Sequence, residues 1–204
     1  MGYYFTSEGD GRTNGAIPAP VMGPEFFQGR RSSAIGWTGY GANLDNLAKA
    51  APLGGFFNAI TEDDGVVRSL RLLAEYRRSY YESLLLAMFR RLVGMPQVLP
   101  GFSNEALLAA NQQRLESIVL SQASGELVIP VDERVATLIP FRGPGGAGGG
   151  SFRYISASDL LRGQLPAGSL VGKIVLVGTT APGLLDLRAT PVGQTYRGSK
   201  RMPM

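Results

Sequence analysis

A continuous apolar run near the C-terminal end of the chain constrains the fold more than any other feature. The segment Lys173-Ile-Val-Leu-Val-Gly178 has no polar residue between its ends, whereas a strand with one solvated face alternates apolar and polar residues. Such a run is typical of a strand that is buried on both faces of a parallel sheet. The sequence therefore predicts an α/β fold with a mixed, largely parallel sheet, flanked by helices and carrying hairpin insertions.

Helical spacing and capping residues predict helices between the strands. We expect a short amphipathic helix at residues 44–51, a longer helix at 79–93, a weaker one at 103–114 and a short one at 156–163. The longer helix has the most complete signals, because Ser79 and Glu82 have the spacing of a capping box and Gly94 can end the helix. One wide apolar stripe runs along this helix, formed by Leu84, Leu85, Met88, Phe89, Leu92 and Val93.

Apolar segments separated by turn residues predict two hairpins. The first joins residues 55–60 to residues 66–76 across the turn at 62–65, and the second joins residues 127–131 to residues 136–141 across the turn at 132–134. Further strands are expected at residues 1–6 and 117–120. A chain of 204 residues can bury a sizeable core.

The absence of cysteine and histidine excludes several function classes. Neither a thiolate metal site nor a nucleophile paired with histidine can be built from this sequence. We therefore expect no catalytic centre of that kind and no cofactor. The net charge of +4 comes mostly from dispersed arginines, so no nucleic-acid interface is expected. No apolar run approaches the roughly 18 residues that span a bilayer.

The carboxylates that could carry chemistry lie in predicted turns. Asp63, Asp64 and Asp132 could act as acid–base groups or bind a hard cation, but aspartate is also favoured in turns because it bonds its own backbone. Arg68 follows the first turn, where its guanidinium could pair with one of these carboxylates or with an anionic ligand. The sequence leaves both roles open.

Polar residues also follow the apolar run. Ligands in open α/β sheets bind beyond the carboxyl ends of parallel strands, and Thr179, Thr180 and Asp186 would lie there. An ordinary polar exit from the strand is an equally good interpretation of the same residues.

Several stretches taken together resemble one family. They follow the order of its pattern: Gly2-Tyr-Tyr-Phe5, Gly15-Ala-Ile-Pro18, Gly39-Tyr-Gly-Ala-Asn43, Gly55-Phe-Phe-Asn58, Asp63-Asp-Gly-Val-Val-Arg68, Ile155-Ser-Ala-Ser-Asp159 and Gly172-Lys-Ile-Val-Leu-Val-Gly178. The chain is similar to the second type of CHASE domain, a sensory extracellular module associated with cyclases and histidine kinases. The resemblance covers residues 1–196 as a partial domain and leaves residues 197–204 as an unstructured basic tail.

The resemblance implies a signal-input domain and not an enzyme. It implies an extracytoplasmic position on a bacterial membrane receptor, reached through flanking membrane helices outside this chain, and an attached cyclase, histidine kinase or protein kinase. The ligand would be small and polar, and its identity is unknown. The family tends to keep the same residues at these positions: Asp63, Asp64, Arg68, Asp132, Arg142, Asp159, Thr179 and Asp186. Further strands and helices of the family pattern are missing, so we expect an incomplete domain.

Two other functions fit the same residues. A metal-dependent enzyme could use Asp63 or Asp64 together with Asp132 and a divalent cation. A dimerisation or interaction module could use the apolar face at residues 84–93, which a second copy would complete.

Overall fold

A computed structural model describes residues 1–7, 11–30, 32–59, 61–103, 114–143, 152–178 and 189–194. The chain divides into two compact units. The first unit comprises Met1–Ile60 with Ser69–Leu138, and the second comprises Thr61–Arg68 with Ile139–Met204. Each unit is described by itself.

The described part of the first unit is rich in short strands. Its strands are β1 (Gly2–Thr6), β2 (Thr13–Asn14), β3 (Gly36–Trp37), β4 (Gly39–Gly41), β5 (Gly55–Phe56), β6 (Ser69–Arg71), β7 (Leu73–Tyr76), β8 (Ser79–Glu82), β9 (Gln97–Phe102), β10 (Leu115–Gln122), β11 (Gly125–Pro130) and β12 (Ala136–Leu138). Its helices are a 3₁₀ helix (Pro24–Phe27), α1 (Asp45–Ala50) and α2 (Leu84–Leu92).

These strands form several small sheets. The strand orders are β2-β4-β1-β5, β3-β7-β8 and β11-β10-β9, and β6 pairs with β12. Two apolar clusters hold them together. An aromatic cluster is built around Phe5, whose ring lies within 5.8 Å of those of Tyr3, Phe56, Tyr76 and Tyr81. A mostly aliphatic cluster contains Leu73, Leu86, Ile118, Leu120 and Val135.

Helix α2 has a serine that caps its first turn and a glycine that follows its last turn. The Ser83 hydroxyl accepts a hydrogen bond from the Leu86 N–H at 3.3 Å, as an N-cap residue does. Gly94, with φ of +94°, follows the helix in the left-handed conformation that glycine adopts readily. Strand β5 lies close to the helix start, because a Cβ on Gly55 would come within 2.4 Å of the Ser83 and Leu84 backbone.

The described part of the second unit contains less regular structure. It has α3 (Ala157–Leu161) and the antiparallel pair β13 (Ala189–Thr190) and β14 (Gly193–Gln194). Residue Val66 forms an isolated parallel bridge with Ala189, and the Val67 N–H donates to the Ala189 carbonyl at 2.9 Å. The segment 61–68 is therefore tied to the first residue of β13.

The α/β class predicted from the sequence is confirmed, with both parallel and antiparallel strands and few helices. The proportion of parallel to antiparallel strand pairings differs from the predicted, largely parallel sheet. Among the described strands, six pairings are antiparallel and three are parallel. Short connections such as the two residues between β10 and β11 permit only antiparallel neighbours.

The apolar run at residues 173–178 does not form a strand. Ile174 and Val177 are exposed by 61% and 94%, and no described strand pairs with this segment. An apolar run can be buried only where neighbouring strands and helices cover it, so its composition alone was not sufficient to predict burial.

Both predicted hairpins are wrong in their pairing. Strand β5 pairs in parallel with β1, and the residues after the turn at 62–65 form β6 and β7, which pair with β12 and with β8. Strand β11 pairs with β10, and β12 pairs with β6. Strands β5 and β12 took partners far along the chain, and β11 took the strand before it in place of the strand after it. The alternation of apolar residues sets the buried face of a strand but not its neighbour.

Most of the predicted local elements are confirmed. Strands lie at 2–6 and 115–122, and helices lie within 44–51 and 156–163. The longer helix starts later than predicted, because residues Ser79–Glu82 form β8 and Ser83 is the N-cap. Most of the predicted helix at 103–114 lies outside the described residues.

Candidate functional site

The predicted turn at residues 62–65 carries an ionic cluster formed by Glu62, Asp64 and Arg68, which we call the Arg68 cluster. The Arg68 guanidinium binds Asp64 in bidentate fashion, with Nη1–Oδ1 at 3.0 Å and Nη2–Oδ2 at 2.6 Å. Its Nη1 also donates to Glu62 Oε2 at 2.6 Å. The sequence singled out Arg68 and Asp64 as possible partners but not Glu62, which lies six residues away from Arg68.

Hydrogen bonds from arginine shift the ionisation of this cluster. The Arg68 guanidinium, with help from the Val66 N–H, lowers the pKa of Asp64 to about 2. The two carboxylates in turn raise the pKa of Arg68. Asp64 Oδ1 also accepts the Val66 N–H at 3.0 Å, which is the geometry of an aspartate that closes its own turn. The cluster holds the turn in place.

Asp132 has a similar local role in the first unit. Its Oδ1 accepts the Arg134 N–H at 2.8 Å and the Ala136 N–H at 2.9 Å. The turn places Val135 in the left-handed region with φ of +56°, although its side chain is fully buried. The two backbone hydrogen bonds of Asp132 stabilise this unusual conformation of a β-branched residue.

The remaining predicted site residues are not brought into one site by the described structure. Asp63 and Arg142 are exposed and belong to the second unit, like Asp64 and Arg68, whereas Asp132 belongs to the first. Thr179, Thr180 and Asp186 lie outside the described residues. Among the described residues there is no group of three or more metal-ligating side chains.

Sequence reasoning missed a buried ion pair between β8 and α2. Arg90 Nη1 donates to Glu82 Oε1 at 2.7 Å, and Arg90 Nε donates to the Pro96 carbonyl at 2.9 Å. Burial raises the pKa of Glu82 although Arg90 opposes this shift, and Glu82 Oε2 has no hydrogen-bond partner. The pair joins the last residue of β8 to the C-terminal turn of α2. The capping-box interpretation of Glu82 concealed it.

Arg71 on β6 is a second buried charge that the sequence did not single out. Its side chain is buried and its Nε has no hydrogen-bond partner. Burial lowers the pKa of Arg71, and the positive charge of Arg134 lowers it further, while Asp132 opposes the shift. An arginine in a short strand gives no sequence signal of this environment.

A groove opens between the 3₁₀ helix and β9. Its volume is about 450 Å³, and its lining mixes polar and apolar residues: Glu25, Phe26, Gln28, Arg30, Leu99, Pro100 and Phe102. The Arg30 guanidinium lies over the Phe102 ring, 4.7 Å from its centroid, and Arg30 Nη1 donates to Gln28 Oε1 at 3.0 Å. The groove therefore combines an aromatic wall with an oriented cation.

The groove is connected to the core through aromatic rings. The Phe102 ring contacts Phe27 edge-on, with centroids 5.8 Å apart, and Phe27 stacks on Tyr80 at 4.3 Å. Tyr80 belongs to β8, two residues before Glu82 and three before the N-cap of α2. No sequence signal joins Phe27 to Phe102, because they are far apart along the chain and meet only in the fold.

Comparison with known proteins gives the family of this chain. A family model described as CHASE2 domain matches residues 20–204. The match covers most of the chain, so the chain belongs to the CHASE2 family. This family consists of sensory extracellular domains, not catalytic ones, in receptors linked to cyclases and kinases. The resemblance inferred from the sequence motifs is confirmed.

The other comparisons found no match. No curated protein and no solved structure matches the chain. In the part of the chain that the structure describes, no helix is long and apolar enough to cross a membrane.

Proposed function

We propose that this chain is the signal-input domain of a bacterial transmembrane receptor and that it regulates an attached cyclase, histidine kinase or protein kinase from the extracytoplasmic side. The observation that carries the proposal is the family match over residues 20–204. The input is a small polar ligand.

The groove beside the 3₁₀ helix is the place that we propose for this ligand. Its volume of about 450 Å³ lies in the range of small-molecule sites. The Arg30 guanidinium at its rim would favour an anionic group, and the Phe26 and Phe102 rings would cover an apolar part. The expected ligand is a small organic anion such as a carboxylate with an apolar substituent.

The aromatic contacts give this site a route to α2. A ligand that moves Phe102 would act on Phe27 and then on Tyr80 in β8, through rings that are already in contact. The buried Glu82–Arg90 pair links the end of β8 to the last turn of α2. Packed interiors transmit displacement because they have little free volume.

The residues predicted from the sequence remain candidates for ligand contact. Arg68, Asp64 and Asp132 have local partners that a ligand would have to displace or share. For Asp63, Arg142, Thr179, Thr180 and Asp186, ligand contact stays a prediction. Ligand binding by the Arg30→Gln and Arg68→Gln variants distinguishes the groove from the Arg68 cluster.

Calorimetric titration and thermal-shift screening of the purified chain test the proposal. The panel should contain inorganic anions, nucleotides, and aliphatic and aromatic carboxylates. We expect at least one small organic anion to raise the melting temperature, because a ligand that binds only the folded state stabilises it. Arg30→Gln and Phe102→Leu should each weaken its binding about tenfold or more, a change of about 1.4 kcal/mol.

Two matched variants serve as controls. Arg91→Gln changes an exposed arginine on α2, and Phe57→Leu changes an exposed aromatic side chain after β5. Both should bind like the unmodified chain. A ligand whose affinity falls with Arg68→Gln but not with Arg30→Gln would move the site to the Arg68 cluster.

A second candidate function, an interaction module, is favoured by one observation on α2. The predicted apolar stripe is not the buried face of this helix. Its members Leu85, Phe89 and Leu92 are exposed and share one side of the helix, whereas the buried residues Leu86 and Ala87 lie outside the stripe. An exposed apolar stripe of this kind can dock another protein surface. Leu85→Lys would weaken such an interaction without removing a core side chain.

A further inference from the structure

The two edges of the β11-β10-β9 sheet differ in how well they are protected. On β9, Pro100 lies in the middle of the strand and lacks an N–H, and the 3₁₀ helix lies beside the strand. Proline and covering elements are the usual protection of edge strands. On β11, proline occurs only at the last residue, and five of the six residues are exposed. Among the described strands, none pairs with the outer edge of β11, which is therefore open to another strand.

Hydrogen bonds along β11 fix which of its backbone groups are unpaired. The Val131 N–H donates to the Glu116 carbonyl at 2.9 Å, in the same register that pairs Ile129 with Ile118 and Leu127 with Leu120. In an antiparallel pair, alternate residues direct their backbone groups to the same neighbour. Glu126, Val128 and Pro130 therefore direct theirs away from β10, which leaves two N–H groups and three carbonyls for another strand.

Apolar side chains accompany these backbone groups. Leu127 is exposed by 47% and Val128 by 54%. A crevice of about 220 Å³ beside Leu127 is also lined by Val93, Pro96 and Leu120. A strand added to this edge would cover apolar surface on β11 and along the crevice.

We propose that this edge pairs with β11 of a second copy of the chain, in antiparallel fashion, with the twofold axis at Val128. The sequence around Val128 is self-complementary in this register. Val128 faces Val128 of the second copy, and Leu127 faces Ile129 in both directions. The Val128 and Glu126 N–H groups of each copy donate to the Val128 and Pro130 carbonyls of the other, giving four hydrogen bonds.

The register also avoids the defects that would oppose pairing. Glu126 faces proline and not another carboxylate, so no like charges lie opposite each other. The N–H that Pro130 lacks falls at the end of the paired segment, where its loss is tolerated. A different peptide would need to match both features by chance, whereas a second copy matches them through symmetry.

The short edge makes this a weak dimer in solution. Five residues from each copy bury much less than the about 1,600 Å² of a standard interface. In a membrane receptor, anchoring both copies to one surface raises their effective concentration. The inference goes beyond the proposed function, because it does not depend on any ligand.

Sedimentation equilibrium of the purified chain, from about 10 to about 500 µM, tests the proposal. The weight-average mass should rise from that of one chain toward that of two. Val128→Lys should weaken the association about tenfold or more, because it places two ammonium groups at the axis. Val128→Pro should weaken it as well, because it removes an N–H that only the second copy would use.

Val177→Lys is the matched control, because it makes the same change at another exposed valine, and it should associate like the unmodified chain. A chain that stays monomeric over the whole range would overturn the proposal. So would association that survives both Val128 variants, or that is lost with Val177→Lys or Leu85→Lys. A monomer that still binds a small anion would leave the proposed function intact.

Discussion

Two ionic groups in this protein have almost the same bond lengths and opposite surroundings. The Glu82–Arg90 pair is 2.7 Å long, with side chains exposed by only 8% and 10%. In the Arg68 cluster both ion pairs measure 2.6 Å, but the side chains are exposed by 36% to 52%. Bond length does not distinguish them, so we expect their contributions to stability to differ chiefly because of their exposure to solvent.

The ionisation of the carboxylates shows this difference directly. Burial raises the pKa of Glu82 in spite of its arginine partner. In the exposed cluster, hydrogen bonds from Arg68 lower the pKa of Asp64 to about 2. Burial therefore outweighs pairing at one site, and pairing outweighs desolvation at the other.

The largest effect is expected when the buried pair is broken from one side. Arg90→Met leaves the Glu82 carboxylate buried without a partner, which costs about 3–5 kcal/mol in such pairs. Urea unfolding of the purified chain should show a loss of that size. The double variant Glu82→Leu/Arg90→Met should recover much of it, because two apolar side chains need no partner. A loss below about 1 kcal/mol for Arg90→Met would contradict the expected difference between the buried pair and the exposed Arg68 cluster.

The N-cap serines of α2 and α3 also differ in their hydrogen bonding. Ser83→Ala removes the side-chain hydrogen bond at the start of α2 and should cost about 1 kcal/mol. Ser156→Ala is the matched change on α3, where the N-cap serine makes no capping hydrogen bond. Its cost in the same unfolding experiment should be much smaller, and equal costs would show that the bond at Ser83 contributes little.

A smaller effect is expected in the exposed cluster. Arg68→Gln should lower the free energy of unfolding much less than Arg90→Met does, because solvent screens exposed ion pairs. The difference from the unmodified chain should shrink when salt is raised to about 1 M. Melting temperatures at low and high salt measure this, and a loss as large as that of Arg90→Met would place the cluster among the buried pairs.

The pH dependence of unfolding should show the smallest effects, with opposite signs for the two groups. The folded pKa of Asp64, about 2, lies below its ordinary value of 3.8, so its contribution is present above that value and is lost as pH falls toward 2. The folded pKa of Glu82 is raised above 4.5, so protonation favours the folded state, and stability rises as pH falls through that pKa. Urea unfolding between about pH 3 and pH 7 should show Asp64→Asn flattening the acidic limb and Glu82→Gln flattening the upper one.

Local patterns in the sequence predicted the elements better than their partners. The start of α2 was misplaced because Ser79 and Glu82 have the spacing of a capping box, whereas Tyr80 and Tyr81 pair as a strand with Glu75 and Ala74. Aromatic residues favour strands, and here this preference outweighs the capping-box spacing. The apolar run at 173–178 has the composition of a buried strand but no described neighbour, and no local pattern specifies a neighbour.

In the candidate site, too, local contacts were predicted and contacts between distant segments were not. The turn aspartates were predicted because their hydrogen bonds are local, within four residues of Asp64 and Asp132. The groove and the buried pair could not be predicted, because their geometry depends on how separate segments pack. Phe26 and Phe102, for example, come from the 3₁₀ helix and from β9.

The claim that signal enters the receptor through this chain is tested most directly by the output of the attached enzyme in the intact parent protein. Activity should be measured in membranes as a function of the ligand identified by screening. We predict that Arg30→Gln raises the ligand concentration for half-maximal response about tenfold or more, whereas Arg68→Gln leaves it unchanged. The same dose response in the Arg30 variant as in the unmodified receptor would contradict the account.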